Sequence, residues 1–299
     1  MTSGPGVPLA DVVAVMERLY PPLTAQSWDQ VGLVSGDAAQ PVRSILLAVD
    51  PTQAVLAEAQ HRGADLVITH HPLLLRGLHA APAHEAKGRA LRTLIGADIA
   101  LYCAHTNADV ATDGVGHALA EACGLLVTEP LTVSEGQELG RVGDLPHALP
   151  LAEFASMLAD RLPETAGGLR VSGPPDAPVR RVALLAGAGD HAFTQVVASG
   201  ADVYVTSDLR HHPALEAREQ ARLQAGTPYL VDTAHWASEW LWLPMVARRL
   251  DEELSATGHG LDITVSTLPT DPWDFVVRPG ETGDARGAHP VTPTPRGAS

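Results

Sequence analysis

Apolar runs that do not alternate with polar residues recur along the chain, at residues 66–69, 99–103, 203–206 and 229–231. Strands of that kind are buried on both faces, as in a parallel or mixed sheet covered by helices. Helical spacing fills the intervals between them, and the alternation of the two predicts an α/β fold.

The pattern also repeats. Residues 42–72 read VRSILLAVDPTQAVLAEAQHRGADLVITHHP, and residues 179–213 read VRRVALLAGAGDHAFTQVVASGADVYVTSDLRHHP. Each copy is an apolar strand, a turn, an amphipathic helix, Gly-Ala-Asp, a second apolar strand and an HHP triplet. Gly63 and Gly200 fall where the helices should end, a left-handed position that glycine fills without steric cost. A third Gly-Ala-Asp, at residues 96–98, precedes the run IALYC. The repeat predicts two pseudo-equivalent lobes, a first over 9–127 and a second over 177–280. Residues 128–176 show one helical pattern (151–162) and one strand-like run (169–172), and are expected to connect the lobes. Residues 1–8 and 281–299 are rich in Gly, Pro, Ser and Thr, lack apolar periodicity, and read as disordered tails.

Four of the buried strands run straight into polar clusters: Thr69-His70-His71-Pro72, His105-Thr106-Asn107-Ala108-Asp109, Thr206 to His212, and Asp232-Thr233-Ala234-His235. Ligands of open α/β sheets gather beyond the carboxyl ends of strands. Adjacent side chains leaving a strand diverge, so His70 and His71 suit two neighbouring ions better than one. Asp109 follows His105 by four residues, and either it or Asp113 could simply cap a helix beginning near Gly114. His235 and Glu239 are spaced to share one helical face. Taken singly, each cluster reads equally well as a polar loop, a helix cap or a surface pair. Together they give three imidazoles and two carboxylates at one end of a sheet, a set that suits two borderline ions such as zinc, manganese, iron, cobalt or nickel. His211-His212 repeats the HHP pattern but lies further from its strand end, which favours a supporting or substrate role. Among His105, Asp208 and His212, spacing alone selects no proton carrier. The turn Gly187-Ala188-Gly189-Asp190 could cradle an anion, without the lysine of a P-loop. Trp236, Trp240 and Trp242 read as core residues.

Composition narrows the class. The chain has 299 residues, 45% of them hydrophobic and 18% charged, ordinary values for a globular protein. Its formal net charge of −15 argues against nucleic-acid partners and anionic membrane surfaces, which need a basic face. An acidic chain with 14 histidines is compatible with cation binding. Cys103 and Cys123 are too few for a disulfide framework, and no apolar run or leader pattern suggests export or a membrane span. A reduced, cytoplasmic location is expected.

These motifs, with Ser27-Trp28-Asp29-Gln30-Val31-Gly32-Leu33 ahead of them and Ser238-Glu239 at the end, stand in an order that resembles the NIF-three-like (NGG-one-interacting factor three-like) family. Its bacterial members carry the label GTP cyclohydrolase I type 2 homologue. The resemblance runs from about residue 10 to about residue 278. It implies a two-lobed α/β protomer, a ring-shaped homohexamer and a dinuclear metal centre. Carried over by position, His70 and His235 hold one ion, His71 and Asp109 the other, and Glu239 bridges them. Ser207 and Ala234 stand where the family commonly has glycine, and the chain is too short for the domain that longer members carry in the middle. The implied activity is metal-dependent hydrolysis of a nucleotide or other small molecule; taken literally, the label means water opening the imidazole ring of GTP with release of formate. A metal-handling or chaperone-like protein and a ring-shaped interaction scaffold are the alternatives.

Overall fold

The protein was analysed as a computed structural model that describes residues 6–255 and 260–277. Two mixed sheets organise it. The first has the order Asp262–Val265, Ser44–Ala48, Leu66–Thr69, Ala100–Cys103, Gly32–Ser35, parallel except for the last strand. The second has the order Thr128–Ser134, Gln137–Pro150, Pro178–Ala188, Val203–Ser207, Tyr229–Thr233, Arg170–Ser172, with the three strands from 178 to 233 parallel and the flanking ones antiparallel.

The unbroken apolar runs have the expected cause. Successive strand residues point to opposite faces, and here both faces are covered. In the first sheet Leu47, Ile68 and Tyr102 pack on helices Leu9–Leu19 and Trp242–Ser255, while Leu46, Val67 and Leu101 pack on helices Gln53–Arg62 and Ala86–Gly96. In the second, Leu184, Val203, Val205 and Val231 meet helices Val115–Ala122 and Leu151–Ala159, and Leu185, Tyr204 and Leu230 meet helix Phe193–Ser199.

The repeat is structural. Gly63 and Gly200 cap their helices at φ of 67° and 70°. The aspartates that follow do the same work in each copy. Asp65 Oδ2 accepts from the backbone N–H of Arg43 and Ser44, and Asp202 Oδ2 from those of Arg180 and Arg181. The HHP triplets part company, however: His70 and His71 leave a strand tip, whereas His211 and His212 open the helix His211–Leu223.

Three boundaries differ from expectation. Residues 128–176 are not only a connection, because they supply three strands of the second sheet. Val7 and Pro8 pair with Val42 and Pro41 rather than forming part of a tail, residues 1–5 lying outside the described residues. The chain also returns to the first lobe after Glu239: Trp242, Leu243 and Val246 enter its core, and Asp262–Val265 pairs with Ser44–Ala48. The stretch 281–299 lies outside the described residues. No helix among the described residues is long and apolar enough to cross a membrane.

The lobes meet through two helices. Val115 and Ala118 face the first core and Leu119 and Ala122 the second; Trp236 and Ala237, on helix His235–Trp240, also enter the first core. The carboxyl ends of both sets of parallel strands therefore border one cleft.

Candidate metal centre

His70 and His71 extend beyond their strand with its pairing intact, since His70 N–H donates to Ala48 O and His71 N–H to Val49 O. Their rings lie side by side, centroids 5.0 Å apart. His235 and Glu239 come from one face of the helix His235–Trp240, with His235 Nε2 2.9 Å from Glu239 Oε1. The same Oε1 is 3.5 Å from His70 Nε2, and the other oxygen, Oε2, is 3.1 Å from His71 Nε2. Asp109, on the short helix Thr106–Val110, places Oδ1 3.6 Å from His70 Nε2. All five residues expected as ligands thus meet in one cluster.

The other edge of each imidazole is tied. His70 Nδ1 pairs with Ala104 O at 3.0 Å, His71 Nδ1 with Asp50 Oδ1 at 2.7 Å, and His235 Nδ1 with Asp208 Oδ2 at 2.7 Å. His105 behaves alike, its Nδ1 pairing with Asp29 Oδ1 at 2.9 Å, and its donor atoms fall within 4.8 Å of those of His70 and His71. An acceptor on Nδ1 puts the proton there and leaves Nε2 as the lone-pair donor, the arrangement found around protein-bound metals. The centre of the cluster is buried: His70 is 1% and Glu239 3% exposed. Yet His70 Nε2 and Glu239 Oε2 have no hydrogen-bond partner. Oε2 lies 3.1 Å from His71 Nε2 as an ion-pair contact rather than a hydrogen bond. Buried polar atoms left unpaired cost about 1–3 kcal/mol each, and a cation among them would remove that cost.

The charges are strongly coupled. Burial pushes His71 down, but Glu239 and Asp50 outweigh it and hold the imidazole up at about 11. Burial likewise opposes His235, which Glu239 and Asp208 raise to about 9. Burial would raise Glu239, yet His71, His70 and His235 carry it well below the usual range. Asp109 is raised by burial, partly offset by His70. Without metal, the raised histidine values favour the folded chain fully below their unfolded value of 6.5, and that advantage drains as pH climbs past about 9. The depressed Glu239 stabilises above its unfolded value of 4.5. A metal must displace the Nε2 protons. Loading at pH 7.5 is therefore expected to release protons, measurable as a calorimetric heat that varies with buffer ionisation enthalpy. Affinity should rise with pH through about 9 and on toward about 11, as His235 and then His71 give up their protons, and a heat independent of buffer would contradict the arrangement.

Asp50 ends the strand Ser44–Ala48 two residues on and is itself gripped by Thr270 Oγ1. Asp208 holds its own backbone at φ 55° to reach His235. Asn at either position keeps the shape but can turn an N–H toward the imidazole. Each of Asp50→Asn and Asp208→Asn should weaken metal binding about 10–100-fold, read by competition against a chromogenic chelator.

Gly187 is required by the close approach of the helix His235–Trp240. Its φ is 67°, and a Cβ there would lie 2.6 Å from Glu239 Oε1. Its N–H donates to Ser238 Oγ, and Gly189 N–H to Ser207 O, so these donors of the turn are engaged within the protein and do not form an anion cradle. Ser207, one of the departures from glycine, is buried in the same network through Thr233 Oγ1 at 2.7 Å. A cavity of about 430 Å³ opens beside the cluster, walled by Gln26, Trp28, His105 and Asp109 from one lobe and Leu139 and 185–188 from the other.

Of the supporting residues expected from sequence, His105 and Asp208 join the cluster. His212 does not: it stands exposed with its ring against His211. Asp29, Asp50 and Gly187 were not anticipated in these roles. Asp50 carried a signal, since it too ends an apolar strand run, and Asp29 lies within the Ser27–Leu33 motif.

The pattern of the Duf34/NIF3 (NGG1p interacting factor 3) family matches residues 7–272. A GTP cyclohydrolase 1 type 2 homolog of Streptomyces coelicolor is 47% identical over 285 residues, covering 94% of this chain and 98% of its own length. One of the same name from Mycobacterium tuberculosis is 33% identical, covering 90% and 97%, over an alignment of 378 positions that exceeds the length of this chain. Among solved structures, a Bacillus cereus protein related to NIF3 superposes with a TM-score of 0.80 at 27% identity, covering 90% of this chain and 99% of its own. Fold, motif order and overall similarity agree: the chain belongs to the Duf34/NIF3 family.

Proposed function

We propose that the chain is a metal-dependent hydrolase holding two divalent ions through His70, His71, Asp109, His235 and Glu239. One observation carries the reading. Imidazoles tied back at Nδ1 aim Nε2 at a single buried glutamate, and within the cluster His70 Nε2 and Glu239 Oε2 itself are otherwise unpartnered. Glu239 turns Oε1 toward His70 and His235 and Oε2 toward His71, which suits a bridge between two ions. Three imidazoles and two carboxylates, without thiolate, fit zinc, manganese, iron, cobalt or nickel and are more typical of catalytic than of structural sites. Bound there, two ions would make hydroxide available near neutral pH and offset the charge that develops as it attacks.

The protein's own contribution is position. Asp50, Asp208 and Ala104 O keep the ligands aimed, and the cleft brings substrate between the lobes. His105, steadied by Asp29 at the cavity wall, can hold a proton at Nε2 during the reaction. The name shared by the relatives suggests a guanine nucleotide as substrate, and amide or phosphoester bonds suit such a centre equally. By the same resemblance the protomers assemble into a homohexamer. The test is a hydrolysis screen of nucleotides and phosphoesters with metal-replete protein. Turnover that requires metal and falls at least ~100-fold in Glu239→Gln supports the reading, on the scale of losses from removing one electrostatic catalytic group. Full metal content with no turnover on any member would replace it with metal handling.

A further inference from the structure

The loop that carries Trp28 is held on both sides while its indole is left bare. Ser27 N–H and Oγ both donate to the Glu135 carboxylate, at 2.7 and 2.9 Å. Gln26 N–H donates to Thr106 Oγ1, and its side-chain Oε1 accepts from Ser134 Oγ. Asp29 accepts from Thr106 N–H and Oγ1 and pairs with His105. Ser134 and Glu135 belong to the hairpin of the second lobe, so the clamp crosses the cleft. Between these anchors Trp28 is 56% exposed and lines the cavity. It meets His105 edge-on, with ring centroids 5.8 Å apart and planes at 79°. An aromatic face on a pinned loop, beside the reactive cluster, is a platform for another ring: every heteroaromatic base has a π-face to stack, and the indole loses little freedom in receiving it.

The charge of the wall narrows the ligand further. The cavity is lined by Asp109 and Glu239, by His71, His105, His191 and His235 and, among the described residues, by no lysine or arginine. With the ring placed at the ions, a polyphosphate tail extending from it would need Arg or Lys side chains or free backbone N–H groups. Here the N–H groups of Gly187 and Gly189 are already engaged. The surrounding protein, at a net charge of −15, adds no attraction for a polyanion.

We propose that Trp28 stacks a planar heteroaromatic ring of the substrate beside the metal cluster, and that the cavity takes this ring without a polyphosphate tail. The ligand class is a nucleoside- or base-like compound rather than a nucleoside triphosphate. This rests on the metal-dependent reading above and specifies its substrate. The test is titration calorimetry of the metal-loaded full chain with guanosine, GTP and inorganic triphosphate, with metal content measured on the same samples. Guanosine is expected to bind at least as tightly as GTP. Trp28→Ala should weaken guanosine about tenfold or more, and Trp28→Phe, which keeps a stacking face, by much less. The proposal is overturned if metal-replete wild type does not bind guanosine, if Trp28→Ala binds it unchanged, or if inorganic triphosphate and GTP both bind more tightly than guanosine. Wild-type protein that holds no metal would instead remove the reading beneath it, so the two failures are distinguishable.

Discussion

Glu239→Ala is expected to purify with less than about a tenth of the wild-type metal, its affinity falling by more than the ~10–100-fold typical of losing an outer partner of a ligand. The reason is its place at the centre: both carboxylate oxygens face imidazoles, at 2.9 Å from His235, 3.1 Å from His71 and 3.5 Å from His70. Without that charge the leading influence that holds His70 and His71 charged is lost while burial still opposes it, so the variant should keep its fold and lose its cations. Elemental analysis checks the content. Thermal unfolding supplies an independent readout, because a ligand that binds only the folded state raises the midpoint. Chelator should lower the wild-type midpoint and leave that of Glu239→Ala where it was. A variant with full metal content would show that the ions, if any, are held elsewhere.

The largest stability effect is expected from Trp242→Ala, at about 3–5 kcal/mol. The indole is fully buried, donates from Nε1 to Tyr20 Oη at 3.1 Å, and meets the Tyr20 ring edge-on with centroids 5.3 Å apart. Truncation removes the packing and leaves the Tyr20 hydroxyl short of one donor. Trp242 also lies 5.7 Å from the His70 ring, centroid to centroid. The variant should therefore bind metal more weakly as well as unfold at lower denaturant. A loss of unfolding free energy below about 1 kcal/mol, on the scale of a surface substitution, would contradict this account of the core beneath the centre.

What the sequence made legible follows from how strongly each position is constrained. Strands buried on both faces, such as Leu66–Thr69 and Val203–Ser207, leave an unbroken apolar run, and the polar residues at their tips stand out against it. The strands Thr128–Ser134 and Asp262–Val265 leave no such trace, because they are largely exposed or half-buried and any polar residue can face outward. Hence 128–176 read as a connection, and the return of the chain to the first sheet went unseen. The ligand set was legible because His70-His71 and His235 follow strands directly and Glu239 follows His235 by one helical turn. Asp29 and Asp50 act by orienting histidines far along the chain, 76 and 21 residues away, and no local spacing encodes that. His212 repeats the HHP pattern, yet four residues between it and the strand end turn it onto an exposed helix start.

Anomalous diffraction from zinc-loaded crystals tests the two-ion centre most directly. The account predicts two peaks per chain, about 3.5–4 Å apart, with Nε2 of His70, His71 and His235 and the carboxylates of Asp109 and Glu239 at bonding distance. A single peak, or zinc bound away from Glu239, would contradict it.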